Sequence, residues 1–236
     1  MQVIYEPRGK AKEYSNYALN IYKGCSHTCV YCYVPDCLRM TKDKFYNEQS
    51  PRAKILDNVE KNLKKKIVDD FVFMSFTSDP YQPLEKELKL TRQCVELLNQ
   101  YGQKYKILTK SKLILRDKDI FDKKLAWLGF TISFDSDEEA LKYEKKADPI
   151  SERVKAIKEL HYSGFKTFVS MEPVINPEEA IKLVKRIKFV DLIKVGKINY
   201  MKNNIDWSRF LIDIEKELKK YKIPFMIKKD LEKFRK

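Results

Sequence analysis

Four of the five cysteines in this sequence lie within thirteen positions, from Cys25 to Cys37. The first three, Cys25, Cys29 and Cys32, share one short segment with the spacing C-x3-C-x2-C. Three thiolates placed in this way are suited to ligate three corners of an iron–sulfur cube, which leaves the fourth iron open for a non-protein ligand. The spacing therefore predicts a [4Fe–4S] cluster on this segment.

Two other interpretations of the cysteine segment stay open. A structural zinc site needs four ligands, so His27 or Cys37 would have to join the three cysteines. A redox pair formed by Cys29 and Cys32 would leave Cys25 without a role.

The segment must be positioned by the elements around it, and these alternate between strand and helix. Helices are predicted at 51–66, where Ser50 is a candidate N-cap, and at 84–100, 117–126, 151–163, 177–188 and 206–220. Apolar runs of strand length predict strands at 17–22, 71–76, 105–109, 127–134, 165–171, 190–195 and 223–227.

This alternation predicts an α/β protein with a parallel sheet and right-handed crossovers. Six or seven units are too few for a full eight-stranded barrel, so a partial (β/α)6 barrel, an open parallel sheet with outer helices, is expected. We expect one domain over 1–236, with a core at about 15–200 and a C-terminal helix and terminal strand at 201–236. Polar residues follow several strands, at the edge where such folds place their sites: Thr77, Ser78, Asp79, Lys110, Ser111, Ser133 and Glu172.

Composition limits the classes of protein further. No apolar run is long enough to span a membrane and the first residues do not resemble a secretory signal, so a cytoplasmic protein without a membrane partner is expected. The net charge of +14 favours a polyanionic partner such as DNA or RNA. The excess is lysine, with 39 Lys against 9 Arg spread along the whole chain, so it also has a purely compositional explanation.

The cysteine segment resembles the signature of the radical S-adenosylmethionine (SAM) superfamily, in which an aromatic residue, here Tyr33, follows the third cysteine. Three stretches resemble the spore photoproduct lyase-like (DNA repair photolyase-like) branch of that superfamily. They are G-C-S-H-T-C-V-Y-C-Y at 24–33, T-S-D-P-Y-Q-P-L-E at 77–85, and L-T-K-S followed by R-D within 108–117. The resemblance extends from about residue 18 to residue 173.

The resemblance implies that Cys25, Cys29 and Cys32 hold a [4Fe–4S] cluster whose open iron is chelated by SAM. Cleavage of SAM would release a 5′-deoxyadenosyl radical that abstracts hydrogen from a substrate. The implied SAM contacts are Tyr33 near the adenine, Ser78 and Asp79 at the methionine end, Lys110 at the carboxylate, Ser133 at the ribose, and Glu172 at the ribose or the substrate. Two structural interpretations remain beside these roles, because Ser78 and Asp79 also suit a helix N-cap and Tyr33 also suits a buried core.

One position departs from the family pattern. In spore photoproduct lyases, a cysteine that donates a hydrogen atom stands immediately before the segment that resembles 77–79, and Phe76 occupies that place here. Phenylalanine has no weak X–H bond to give, so repair of the spore lesion is not predicted. Cys94 lies within a predicted helix and does not replace the missing donor.

The sequence as a whole thus predicts a radical SAM enzyme that acts on DNA or RNA, without assigning its catalytic residues. A reductant such as flavodoxin or ferredoxin is an implied partner. Two alternatives remain: a radical SAM enzyme for a peptide or small molecule, and a zinc-stabilised nucleic-acid-binding protein.

Overall fold

A computed structural model describes residues 2–235 of the chain. Within that range the strands are β1 Ile4–Tyr5, β2 Tyr17–Leu19, β3 Tyr22–Lys23, β4 Ser50–Pro51, β5 Val72–Met74, β6 Tyr105–Thr109, β7 Ala126–Thr131, β8 Lys166–Val174, β9 Leu192–Lys197 and β10 Phe225–Ile227.

The helices connect these strands on the outside of the sheet. Short 3-10 helices cover Gly9–Glu13 and Lys112–Asp117. The α-helices of residues 2–235 are α1 Val34–Cys37, α2 Lys42–Asn47, α3 Ile55–Lys65, α4 Glu85–Leu88, α5 Leu90–Gln100, α6 Asp137–Tyr143, α7 Ile150–Tyr162, α8 Pro177–Ile187, α9 Trp207–Lys220 and α10 Lys229–Glu232.

The main sheet has the strand order β1-β2-β5-β6-β7-β8-β9-β10. Every neighbouring pair is parallel except β1 with β2, which is antiparallel. Strands β3 and β4 form a separate antiparallel pair beside the sheet. The predicted fold class is confirmed: this is an open, mostly parallel α/β sheet flanked by helices, with the form of a partial barrel.

Several predicted elements have different bounds in the structure. The strand predicted at 17–22 ends at Leu19, because Tyr22 and Lys23 pair with β4 instead. The same pairing delays the helix predicted at 51–66, which begins at Ile55 after Lys54 adopts a left-handed conformation. The helix predicted at 84–100 is broken at Lys89, where φ is 50°. The helix predicted at 117–126 is wrong, since the helical turn precedes it as the 3-10 helix Lys112–Asp117.

The two faces of the sheet bury different kinds of residue because successive side chains of a strand alternate between faces. The face toward the helices carries the large aliphatic core, with residues such as Ile107, Leu128 and Val169. The inner face carries a smaller aromatic cluster of Tyr14, Phe73 and Phe168. The inside of the partial barrel is therefore packed at this level, which leaves space for ligands at the carboxyl ends of the strands.

Candidate cofactor site

The cysteine segment forms the loop between β3 and α1. Gly24 opens this loop with a φ of 72°, and a β-carbon there would lie 2.8 Å from the carbonyl oxygens of Phe45 and Glu48. Glycine satisfies both the left-handed conformation and the close approach. The backbone N–H of Cys25 then donates to Phe45 O at 3.0 Å. The loop is thereby fixed against α2 at its first cysteine.

Gln82 fixes the same part of the loop from the other side. This side chain is fully buried. Its Nε2 donates to Gly24 O at 3.2 Å, and its Oε1 accepts from the backbone N–H of Ser26 at 3.2 Å. Gln82 precedes α4, whose buried Glu85 forms a 2.7 Å ion pair with Arg116. The segment at 77–85 therefore serves as a support for the cysteine loop.

Asp79 connects the cysteine loop to the end of β6. One carboxylate oxygen accepts from Thr109 Oγ1 at 2.6 Å and from the backbone N–H of Tyr81 at 2.8 Å. The other accepts from the backbone N–H of Lys110 at 2.8 Å and lies 3.4 Å from His27 Nδ1. A carboxylate has about four acceptor positions, and here protein groups occupy them. Asp79 therefore joins the cysteine loop to the end of β6, and its contact with the methionine end of SAM stays a prediction.

The far side of the loop is attached to the end of α6. Cys29 and Glu144 form an isolated antiparallel bridge, and the backbone N–H of Val30 donates to Tyr143 O at 2.8 Å. Glu144 is buried and forms an ion pair with the buried Arg153. Burial by itself would raise the pKa of the Glu144 carboxyl group. The nearby Arg153 and Lys110 together lower it by more, so the pKa lies below its usual value.

All three cysteines of the motif border a single cavity. Burial, followed by the nearby Asp79, raises the pKa of the Cys25 thiol to about 12. Burial also raises the pKa of Cys29 to about 11, although Lys110 opposes this shift. The pKa of Lys110 is lowered by burial, but Cys29, Glu144 and Asp79 outweigh this effect and raise it. These thiols need a cationic partner in order to ionise, and an iron centre is such a partner.

The geometry of the thiols bears on which metal centre fits. Among residues 2–235, no three His, Cys, Asp or Glu side chains converge on a single metal ion. A tetrahedral zinc site requires such convergence of four ligands. Cysteines that ligate different irons of one cluster do not need to converge, so the three thiols around one cavity fit an iron–sulfur cube.

The cavity has a volume of about 750 Å³ and lies at the carboxyl ends of the strands. Pockets of this size hold ligands as large as common cofactors. Five of the six predicted SAM-contacting residues border it: Tyr33, Ser78, Asp79, Lys110 and Glu172.

Ser133 is the predicted residue that does not border the cavity. It is buried two residues beyond the end of β7, and its Oγ has no hydrogen-bond partner within residues 2–235. The same strand contributes Thr131 to the cavity wall instead. Residues 131 and 133 are two positions apart, so strand alternation places both on the same face of the sheet. The sequence pattern alone therefore could not tell which of them borders the cavity.

Glu172 belongs to a polar network on the inner face. Its Oε2 accepts from Tyr14 Oη at 2.6 Å and from Lys228 Nζ at 3.0 Å. The carboxyl group lies against Gly196, where a β-carbon would approach within 2.7 Å, so that a larger residue would displace it. Lys228 also lies 4.3 Å from the ring centroid of Tyr14.

Sequence reasoning missed several cavity residues, among them Tyr14, Thr131 and Lys228. Tyr14 precedes the first strand of the parallel series, and Lys228 follows the last one, so neither lies in a strand-to-helix loop of the predicted core. Gln82 belongs to the T-S-D-P-Y-Q-P-L-E stretch at 77–85, but its side chain was not assigned a role. Its place in that stretch was the signal in the sequence that could have found it.

Phe76 also borders the cavity, where its ring stacks on Phe73 with 4.4 Å between centroids. At the cavity mouth, Tyr33 stacks on Tyr200, with ring centroids 5.7 Å apart. Tyr200 is 72% exposed, and Lys10 Nζ lies 5.5 Å from its ring centroid. The cavity thus extends from the cysteines to an aromatic and basic opening.

Comparison with known proteins agrees with this architecture. The model of the radical SAM superfamily matches residues 19–190. The chain is 33% identical over 165 residues to the uncharacterised protein MJ0683 of Methanocaldococcus jannaschii, a match that covers 68% of this chain and 61% of that protein. It is 28% identical over 192 residues to the uncharacterised protein ORF301 of Acidianus two-tailed virus, covering 76% of this chain and 63% of that protein. The chain thus spans less than two thirds of both relatives.

Solved structures show the same fold at low sequence identity. A mutant spore photoproduct lyase superposes with a TM-score of 0.72 at 11% identity, over 94% of this chain and 78% of that one. Streptococcus suis SuiB bound to S-adenosylmethionine superposes with a TM-score of 0.66 at 14% identity, over 89% of this chain and 46% of that one.

Fold and site together define an α/β partial-barrel enzyme with a three-cysteine loop at the carboxyl edge of its sheet. The chain belongs to the radical SAM superfamily. Membership implies a [4Fe–4S] cluster and SAM as cofactors. Separately, none of the helices within residues 2–235 has the length and apolar character to cross a membrane.

Proposed function

We propose that this chain, as a single domain over 1–236, binds a [4Fe–4S] cluster through Cys25, Cys29 and Cys32 and acts on a nucleic acid. The core of the domain would span about 15–200, with 201–236 adding the terminal helix and strand. The observation that carries the proposal is the one cavity that joins the three thiols to a basic, aromatic opening. When bound, the cluster would supply the electron that cleaves SAM to a 5′-deoxyadenosyl radical.

The protein's own residues would bind and orient SAM in this cavity. The half-buried Lys110 borders the cavity beside the cysteines, where its ammonium group would pair with the SAM carboxylate. Ser78 Oγ donates to Tyr22 O at 3.4 Å, and Ser78 and Asp79 would meet the methionine end of SAM. Asp79 also accepts from the backbone N–H of Lys110. Tyr33 would pack on the adenine. Thr131, which borders the cavity, and Ser133, which is buried two residues further along the chain, are the candidates for the ribose contact.

Glu172 is better suited to the substrate or the ribose than to the cluster. One of its oxygens is occupied by Tyr14 and Lys228, which hold the carboxylate in a fixed direction. The carboxylate and Lys228 both border the cavity. A fixed carboxylate beside a cation can orient a hydroxyl group of a bound ligand.

A nucleic-acid substrate is supported by the opening of the cavity. Arg8, Lys10, Lys197 and Tyr200 line it, which combines phosphate-binding cations with an aromatic surface for an unstacked base. The net charge of +14 has the sign that a polyanion requires. Among the structural neighbours, one spore photoproduct lyase is complexed with dinucleoside spore photoproduct. Phe76 offers no transferable hydrogen atom in this cavity, so the substrate would differ from the spore lesion.

The proposal is tested by measuring 5′-deoxyadenosine formation anaerobically with dithionite, with and without duplex DNA, single-stranded DNA, tRNA or single-stranded RNA. A substrate should accelerate SAM cleavage because it closes the site and excludes water. Arg8→Gln at the opening should raise the concentration of nucleic acid needed for this effect, whereas Arg209→Gln on the exposed side of α9 serves as the matched control. A rate that no nucleic acid changes would favour a peptide or small-molecule substrate.

A further inference from the structure

Helix α2 contacts the cysteine loop through two neighbouring residues, Phe45 and Tyr46. Phe45 is fully buried, and its carbonyl group accepts from the backbone N–H of Cys25, as described above. Tyr46 is half-buried, and its hydroxyl group donates to the carbonyl oxygen of Cys29 at 2.8 Å. The helix therefore reaches the first cysteine through its backbone and the second through a side chain.

The carbonyl oxygen of Cys29 lies at the centre of the turn that joins the second and third cysteines. It accepts from the backbone N–H of Cys32 at 3.1 Å as well as from Tyr46 Oη. The Tyr46 hydroxyl group also lies within hydrogen-bonding reach of the Cys32 thiol. Burial raises the pKa of that thiol, and the hydrogen bond with Tyr46 is among the interactions that oppose the shift. One phenol group thus contacts both ends of the turn.

Tyr46 keeps its proton and lies outside the cavity. Burial raises the pKa of its phenol, and Cys32, Cys29 and Cys25 raise it further, so the hydroxyl group remains a donor at neutral pH. Tyr46 is not among the residues that border the cavity. Loss of its hydroxyl group would therefore leave the cavity walls, and with them the proposed SAM contacts, unchanged.

We propose that Tyr46 is a positioning residue whose hydroxyl group hydrogen-bonds the Cys32 sulfur of the bound cluster and raises the reduction potential of that cluster. The inference rests on the cluster of the proposed function, but not on the nature of the substrate. Reduction adds one electron, and hence one negative charge, to the iron and sulfur atoms. A hydrogen bond donated to a cluster sulfur stabilises this charge and so favours the reduced state.

The single hydroxyl hydrogen has two acceptors within reach, the Cys29 carbonyl group and the Cys32 sulfur. As a cluster ligand, Cys32 is a thiolate. Hydrogen bonds to ionised acceptors are stronger than those to neutral ones, so the thiolate competes well with the carbonyl group for this hydrogen.

The experiment measures the midpoint potential of the reconstituted holoenzyme. Tyr46→Phe keeps the ring and the charge of the protein and removes only the donor. Dithionite titration followed by EPR spectroscopy, without SAM or substrate, gives the ratio of reduced to oxidised cluster at each ambient potential. In Tyr46→Phe this ratio should fall about tenfold, as expected for the loss of one hydrogen bond to a charged group. For a one-electron couple, that change lowers the midpoint potential by about 59 mV.

Tyr101→Phe is the matched control. Tyr101 Oη donates to Glu60 Oε1 at 3.4 Å, between the end of α5 and α3, so this variant also loses a single phenol hydrogen bond. Neither residue borders the cavity or belongs to the cysteine loop. The midpoint potential of Tyr101→Phe should equal that of wild type.

A second variant carries 3-fluorotyrosine in place of Tyr46. Fluorine makes the phenol more acidic and its hydroxyl group a stronger donor, so the midpoint potential should rise above that of wild type. Because this variant keeps both the ring and the hydroxyl group, it decides the question even where Tyr46→Phe retains no cluster.

Each other outcome has a distinct meaning. A wild-type potential in Tyr46→Phe would overturn the inference, and so would an equal shift in Tyr101→Phe. If Tyr46→Phe retains no cluster, a wild-type potential with 3-fluorotyrosine overturns it. Wild-type protein that takes up no iron and sulfide would overturn the proposed cluster itself. SAM cleavage that no nucleic acid changes would overturn only the proposed substrate class and would leave the role of Tyr46 standing.

Discussion

Arg153 and Glu144 form an ion pair of 2.6 Å in which each side chain is only 1% exposed. Arg153 also donates to Asp148 O at 2.7 Å and to Thr131 O at 3.0 Å. Glu144 accepts a hydrogen bond from Tyr31 of the cysteine loop. One buried pair therefore connects the loop, the cavity wall and helix α7.

Breaking this pair should cost more than breaking a surface pair. Arg153→Met leaves Glu144 buried without its cation, and we expect the free energy of unfolding to fall by about 3–5 kcal/mol. Lys155→Met, on the exposed side of the same helix, removes a surface pair with Glu152 and should cost less than about 1 kcal/mol. Urea unfolding monitored by circular dichroism measures both, and equal costs would contradict the assignment. Glu144→Gln added to Arg153→Met should recover part of the loss.

Substitution of the three motif cysteines should affect the cluster, whereas substitution of Cys94 should not. Cys25→Ala, Cys29→Ala and Cys32→Ala should each abolish the oxygen-sensitive [4Fe–4S] cluster, because each removes the ligand of one iron. Cys94→Ala should retain it, since Cys94 is buried within α5. Iron and acid-labile sulfide analysis after anaerobic reconstitution measures the difference. Wild-type cluster content in Cys29→Ala would contradict the assignment of Cys29 as a cluster ligand.

Substitutions of Lys110 and Asp79 should affect SAM binding and cluster content differently. Lys110→Met removes one charge-assisted contact to SAM, worth about 1.5–3 kcal/mol or roughly 10- to 150-fold in affinity, and should keep the cluster. Asp79→Ala leaves the donors around it without an acceptor and should lower cluster content as well. Equilibrium binding of SAM, together with iron analysis, separates the two. Lys112→Met, which alters an exposed lysine nearby, is the control, and a loss of affinity equal to that of Lys110→Met would refute the role of Lys110.

Lys194 should make stability depend on pH. It lies on the inner face, where burial and the neighbouring Lys106 and Lys228 lower its pKa to about 8 from 10.5, despite Glu13 and Glu172. Between these values the unfolded state holds a proton that the folded state has released, so stability should rise with pH. Relative to Lys194→Met, wild type should gain up to about 3 kcal/mol between pH 8 and pH 10.5. Urea unfolding at several pH values measures this, and a constant difference would show that Lys194 titrates normally.

The sequence was most informative where chemistry and local pattern coincide. The C-x3-C-x2-C spacing and the strand–helix alternation predicted the family and the fold, and β6 was predicted with its observed ends at Tyr105 and Thr109. The helix predicted at 177–188 spans Pro177–Ile187 in the structure, and the Asn176 side chain caps it by accepting from the backbone N–H groups of Glu178 and Glu179. In these places the local signal and the tertiary structure agree.

The sequence was least informative where partners lie far apart in the chain. The hydrogen bonds that Asp79 accepts from Thr109 Oγ1 and from the backbone N–H of Lys110 join it to residues about thirty positions away, and no local pattern predicted them. The helix expected at 51–66 loses its first turn to β4, because Ser50 pairs with Lys23. Neither effect has a local signature, since each depends on which distant segment folds against the residue.

The contacts of Tyr14 with Lys228 bring the first and last segments of the fold together in the cavity wall. The backbone N–H of Lys229 donates to Glu13 at 2.9 Å, and Lys10 pairs with Asp230. During translation, residues near 228 leave the ribosome long after the cysteine loop has been synthesised, and domains that depend on late segments cannot close before then. This part of the cavity wall therefore forms only after the residues near 228 have been synthesised, well after the cysteine loop itself.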